Sequence, residues 1–179
     1  MKRILLLLSF FAINLTGCPN KSTPPVTDAG TDFAPDVVEH QKIEYIVSGD
    51  TWQVTLPISW KEKVPLPHSQ DVVLLAENES TQGMFLLTKE TYTDSFDAFA
   101  IETLRGLRRQ GSTIIMSEST SLNGKPFVHI KYSQESLVVH TWLTVKDSYG
   151  YSINCGGVVS DIDLLSGDCQ SIADSFKLR

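Results

Sequence analysis

Two histidines carry the richest potential chemistry in this 179-residue chain. His129 sits in Phe127-Val128-His129-Ile130-Lys131, and His140 in Val138-Val139-His140-Thr141-Trp142. Both runs have the composition and spacing of strands. A bend in which Ser133 faces Ser136 puts His129 opposite His140 and Phe127 opposite Trp142, on one sheet face. Two cross-strand imidazoles could hold zinc or copper, or act as a pH-sensitive pair. A metal site asks for a third ligand, and none is evident. The plainer reading is a stacked pair on a half-exposed or helix-covered face. No resident metal is assigned, and His129 and His140 stand only as candidate ligands.

Other constellations fail on spacing. Asp161, Asp163 and Asp168 suggest a calcium loop, but Leu165 and Ser166 occupy positions where an EF-hand wants a polar ligand and a glycine. Helix capping or plain exposure accounts for these aspartates. Arg105, Arg108 and Arg109 could gather an anion, yet a solvated helix end explains them as well. There is no G-x-S-x-G elbow and no glycine-rich phosphate loop. No catalytic residue and no cofactor is assigned.

The amino-terminal stretch carries a different chemistry. Lys2 and Arg3 precede an apolar run from Ile4 to Ile13, interrupted only by Ser9. That run is about half of the roughly 20 residues a spanning helix needs, so an export signal fits better than a permanent span. It ends in Leu15-Thr16-Gly17-Cys18, which resembles the lipobox of bacterial lipoproteins. The resemblance implies diacylglycerol on the Cys18 thiol, cleavage before Cys18, and a further acyl chain on the new amino terminus. One chain gives marginal membrane binding, and two or more give stable anchoring at about 0.8 kcal/mol per buried methylene. Residues 1–17 are then a lipoprotein signal peptide, and 18–42 the lipidated cysteine and a flexible tether. Residues 19–41 are rich in Pro, Thr and Asp and sparse in apolar residues, a composition that does not offset the entropy of ordering.

With Cys18 acylated, Cys155 and Cys169 remain as an even pair in an exported, oxidising compartment, where a disulfide is the default. It would close a loop of about 15 residues, worth roughly 3 kcal/mol. A metal or redox pair is the rival, but the spacing is not C-x-x-C. Removing Lys2 and Arg3 with the leader lowers the 15 basic residues to 13 against 21 acidic ones, so the formal charge goes from −6 to −8. That balance argues against nucleic acid as a partner and against electrostatic adhesion to anionic lipid. The membrane is a partner through the lipid on Cys18.

Residues 43–179 form the predicted globular domain. Strands are expected at Ile43–Val47, Trp52–Leu56, Val72–Glu77 and Met84–Glu90, with a loop over Lys61–Gln70. Phe96, Phe99, Ala100, Leu104 and Leu107 then recur at helical spacing, so Ser95–Gln110 is a helix, capped by Asp94 or Thr93 and ended by Gly111. Four strands follow, at Thr113–Glu118, Pro126–Ser133, Leu137–Lys146 and Tyr149–Cys155. Asn123-Gly124 is the strongest hairpin turn among them. Ile162, Leu165, Cys169, Ile172 and Phe176 mark one face of a closing helix. Gly167 and Asp168 weaken its middle, so it is expected to start near Asp168. Cys155 shares strand parity with Tyr151 and Ile153, so both cysteines fall on apolar faces that meet if this helix packs on the last strand.

The fold class is therefore α+β: an antiparallel sheet of about six or seven strands flanked by helices. The opening strand with Trp52 and Pro57-x-x-Trp60, the mid-chain helix, the long meander, and the closing Ile172-Ala173-Asp174-Ser175-Phe176 resemble the PsbP-like α/β/α sandwich. That group includes the photosystem extrinsic protein PsbP and bacterial DcrB-like lipoproteins. The resemblance implies a module that binds or supports other proteins rather than an enzyme, held in the bacterial cell envelope beside a protein partner. The alternative is an envelope lipoprotein that binds a small ligand or a metal.

Overall fold

In the computed structural model, residues 44–65 and 71–179 are described. The predicted signal peptide, Cys18, the predicted tether and the predicted strand's first residue, Ile43, lie outside them. The alternation of Trp52, Val54 and Leu56 with Gln53 and Thr55 produces strand β2 (Trp52–Pro57), its apolar side chains buried. Strand β1 (Glu44–Ser48) pairs antiparallel along it, with Glu44 opposite Pro57. These two do not join the main sheet. They form a small sheet of order β1-β2-β10, closed by the two-residue strand β10 (Lys177–Leu178).

The main sheet is seven-stranded and antiparallel, in the order β3-β4-β5-β9-β8-β7-β6. It comprises β3 (Trp60–Lys63), β4 (Val72–Asn78), β5 (Gly83–Thr91), β6 (Thr113–Leu122), β7 (Lys125–Gln134), β8 (Leu137–Lys146) and β9 (Tyr149–Val158). Strand β3 replaces the first part of the predicted Lys61–Gln70 loop. Its Trp-Lys-Glu-Lys sequence has no alternating apolar residue beyond Trp60, because it is an edge strand. Lys61 and Lys63 pair with Glu79, just after β4, and with Glu77 of β4, and such charged side chains suit an edge strand. Two hairpin turns follow their chemistry. Asn123 (φ 50) and Gly124 (φ 73), then Asp147 (φ 52) and Ser148 (φ 63), take the left-handed backbone of a two-residue I′ loop.

Helix α1 (Phe96–Arg109) is capped by Ser95, whose hydroxyl accepts from the Ala98 N–H at 3.2 Å, rather than by Asp94 or Thr93. Gly111, at φ +83, ends it as expected. Helix α2 (Ile162–Ser175) begins six residues before the predicted start, after a short 3-10 turn at Val159–Asp161. Burial of Leu165, Cys169, Ile172 and Ala173 outweighs the weak propensity of Gly167 and Asp168.

Strand parity assigns the helices to opposite faces. Cys155 and Ile153 point to one side of β9, and the disulfide from Cys155 to Cys169 of α2, with Cα atoms 5.5 Å apart, puts α2 there. A Cβ on Gly150, of the opposite parity, would lie 2.7 Å from the Phe99 ring, so α1 covers the other side. The main core lies between the sheet, β2 and α2, around Trp52, Trp60, Phe85, Trp142, Leu165 and Phe176. Among the described residues, no helix is long and apolar enough to cross a membrane.

Candidate functional site

The β7–β8 hairpin differs from the sequence expectation in register. Gln134 pairs with Leu137 across a two-residue loop of Glu135 and Ser136, and Glu135 takes φ +53. Ser133 therefore faces Val138 rather than Ser136. His129 stands opposite Trp142, and His140 opposite Lys131. The direct pairing of His129 with His140, and of Phe127 with Trp142, is corrected. The slip is by two residues and the side-chain period is two, so both histidines keep the same face. They meet diagonally instead of squarely.

The diagonal brings them into direct contact. Nε2 of His129 lies 3.1 Å from Nδ1 of His140, and both residues are buried. The His129 ring stacks on the Trp142 indole at 4.5 Å between centroids and 8° between planes. Strand β6 contributes Glu118, paired with His129 in register, whose Oε1 is 3.8 Å from Nδ1 of His129. The predicted β6 strand stopped at Glu118. The true strand runs to Leu122, which puts Glu118 inside the ladder and beside the imidazole.

One tautomer chain fits these contacts. The half-exposed Glu118 carboxylate favours a proton on Nδ1 of His129. Nε2 of His129 then accepts from Nδ1–H of His140, and Nε2 of His140 is left as a lone pair, buried and without a partner. The reverse chain turns a His129 lone pair toward the carboxylate and buries an unpartnered N–H on His140, which costs more. Burial lowers the pKa of His129, with Glu118 pulling the other way. Burial, then His129 and Lys131, push His140 down to about 4. Both rings are therefore neutral near pH 7.

This arrangement favours an internal hydrogen bond over metal ligation. Among the described residues no group of three His, Cys, Asp or Glu side chains could hold a metal ion. A metal held between Nε2 of His129 and Nδ1 of His140 would displace the His140 proton to Nε2, where no acceptor stands. The other sequence candidates are dispersed. Arg105, Arg108 and Arg109 are exposed along the end of α1. Asp161 and Asp163 lie at the start of α2, while Asp168 accepts the indole N–H of the fully buried Trp60 at 3.0 Å. The role of Asp168 was legible in principle, since a buried tryptophan needs an acceptor for its N–H.

A second feature is on the surface. Ile58, Val159 and Leu164 are 59%, 52% and 73% exposed. All three belong to one end of the main sheet. Ile58 lies two residues before Trp60, which pairs with Asn78 at the end of β4. Val159 follows the end of β9, and Leu164 is in the first turn of α2, next to Leu165, which packs on Gly83 and Gly157. Sequence periodicity left Leu164 unassigned. It is apolar but off the buried stripe of α2, and that mismatch is the signal for an accessible aliphatic.

The chain matches no family model. No curated protein matches it. Among solved structures it is similar to the solution structure of cyanobacterial PsbP (CyanoP) from Synechocystis sp. PCC 6803. The TM-score is 0.60 at 10% identity, covering 83% of this chain and 98% of that one. A crystal structure from Bacteroides thetaiotaomicron VPI-5482 is similar at TM-score 0.54 and 15% identity, covering 76% of this chain and 48% of the other, about half its length. The fold is therefore PsbP-like, as the opening tryptophans, meander and closing helix implied.

Proposed function

We propose that this protein is a lipoprotein of the bacterial cell envelope, anchored through Cys18, that binds or supports another envelope protein and carries out no turnover. The leader Leu15-Thr16-Gly17-Cys18 supports the anchor, and the PsbP-like fold is compatible with an accessory module. One observation carries the reading. The side chains with the richest chemistry, His129 and His140, are buried against each other and Trp142. A formal charge of −6 argues against nucleic acid as the partner.

A second reading, a small-ligand or metal-binding lipoprotein, has the unpartnered Nε2 of His140 in its favour. Native mass spectrometry of the protein extracted from its own membrane in mild detergent separates the two. A discrete polypeptide companion supports the binding module. A small adduct or a metal, lost in His129→Ala or His140→Ala, supports the alternative and overturns the first reading.

A further inference from the structure

We propose that the end of the domain bearing Ile58, Val159 and Leu164 rests on the zwitterionic surface of the bilayer that holds Cys18. The inference rests on the lipid-anchor reading and adds an orientation to it. It begins from where the chain outside the described residues arrives. Strand β1 starts at Glu44, opposite Pro57, the residue just before Ile58. The Tyr45 hydroxyl donates to the Trp60 carbonyl at 2.8 Å, which fastens the start of β1 to the same corner. The stretch from Cys18 to Glu44 therefore enters the domain at the exposed aliphatic end. Cys18 and Glu44 are 26 positions apart, and an unstructured chain of that length would have an r.m.s. reach of roughly 25–30 Å. Of the two ends of the sheet, this is the one at which the chain from the anchor arrives.

The aliphatic groups are spread along this end of the sheet, from Ile58 before the edge strand β3 to Val159 after β9. Leu164 lies one helical turn before Asp168, on the same side of α2, and Asp168 holds the Trp60 indole. Ile58 precedes Trp60 by two residues, and Val159 stands in the turn that delivers β9 to α2. All three side chains are more than half exposed. A single lipid chain binds a membrane only marginally, and added apolar contacts strengthen residence. Charge chooses the lipid. Asp161 and Asp163 flank the aliphatic groups, and the mature chain has more acidic than basic residues, so an anionic leaflet repels this end. A protein partner here would have to share the short gap between domain and bilayer. The Asn123-Gly124 turn lies at the opposite end of the strands, where the Asn123 side chain donates to the Asp174 and Phe176 carbonyls.

The test uses the full chain, produced with its leader in a bacterial host and purified with its lipid. Intact mass first reads the acyl chains on Cys18. The protein is then reconstituted on phosphatidylcholine vesicles, and amide hydrogen exchange is followed by mass spectrometry. Segments 57–60 and 158–165 are expected to exchange severalfold more slowly in the parent than in Ile58→Asp/Leu164→Asp. The Asn123-Gly124 turn is expected to exchange equally in both. Both substituted side chains are exposed, so the fold persists, and matching exchange at 123–124 checks it. Equal exchange of parent and variant at 57–60 and 158–165, on protein whose mass shows acylated Cys18, overturns the orientation and leaves the anchor standing. An unacylated Cys18 overturns both. Stronger protection on vesicles containing anionic lipid than on phosphatidylcholine alone overturns the choice of a zwitterionic surface.

Discussion

The buried histidine corner and the exposed aliphatic end sit on the same α2-covered side of the sheet and have opposite character. His129 and His140 have the chemistry, yet they are stacked on Trp142 and bonded to each other. Ile58, Val159 and Leu164 have no chemistry, yet they are accessible. Reactive residue types thus mark a packing solution in one region, and unreactive ones mark a surface in the other. The Cys155–Cys169 disulfide links them, because Cys155 pairs with His140 across β8 and β9 while Cys169 lies on the helix that carries Leu164.

Breaking that link is the largest perturbation. The Cys155→Ser/Cys169→Ser double variant is expected to lose about 3 kcal/mol of stability, from loop closure and from burying two hydroxyls in an apolar site. Equilibrium urea unfolding reads it directly. A loss below about 1 kcal/mol would mean that packing alone holds α2 on the sheet.

The next effect belongs to the histidine corner alone. His140 has its pKa pushed from an ordinary 6.5 to about 4 by burial, then by His129 and Lys131. Glu118, across β6, offsets this at His129, and the disulfide on the β9 side does not titrate. Between those values the unfolded chain binds a proton that the folded chain refuses, so stability rises with pH. The contribution is complete above about pH 6.5 and is lost as pH falls toward about 4, by up to roughly 3 kcal/mol. Urea titrations at pH 7.5 and 4.5 are expected to show a smaller pH dependence in His140→Gln than in the parent. Equal dependence would mean that the imidazole is free to protonate in the fold.

Asp168 joins the two regions more weakly. Asp168→Ala leaves the Trp60 indole N–H buried without an acceptor and is expected to cost about 2 kcal/mol. Asp163→Ala, one turn earlier and exposed, is expected to stay within about 0.5 kcal/mol. Thermal or urea midpoints of the pair decide whether the acidic run of α2 is structural only at Asp168.

The histidine face was readable from sequence because alternation fixes which side a residue takes. The diagonal contact was not, because Ser133–Ser136 lacks the Asn-Gly chemistry that pinned the Asn123-Gly124 hairpin. The closing strand of the small sheet and the edge strand of the main sheet escaped for a different reason. Strand β10 has two residues, and β3 has only Trp60 as an apolar marker, so neither is long enough to display a period. The early start of α2 escaped because Gly167 and Asp168 argue locally against a helix that Leu165, Cys169 and Ile172 impose through packing. The exposed end was half legible, since Leu164 falls off the buried stripe, but its coincidence with the entry of the chain at Glu44 needs the β1–β2 pairing.

The smallest expected effect is the sharpest test of the contrast. Ile58→Asp and Leu164→Asp remove aliphatic groups that are 59% and 73% exposed, so little apolar area returns to water on unfolding. Each is expected to change stability by less than about 0.5 kcal/mol. Leu165→Ala, next in sequence and fully buried against Gly83 and Gly157, is expected to cost about 3 kcal/mol through the cavity it leaves. Adjacent leucines thus serve opposite purposes, and a urea series on the three variants separates them. If Leu164→Asp destabilised the fold as much as Leu165→Ala, Leu164 would be part of the core and the aliphatic end would cease to be a surface.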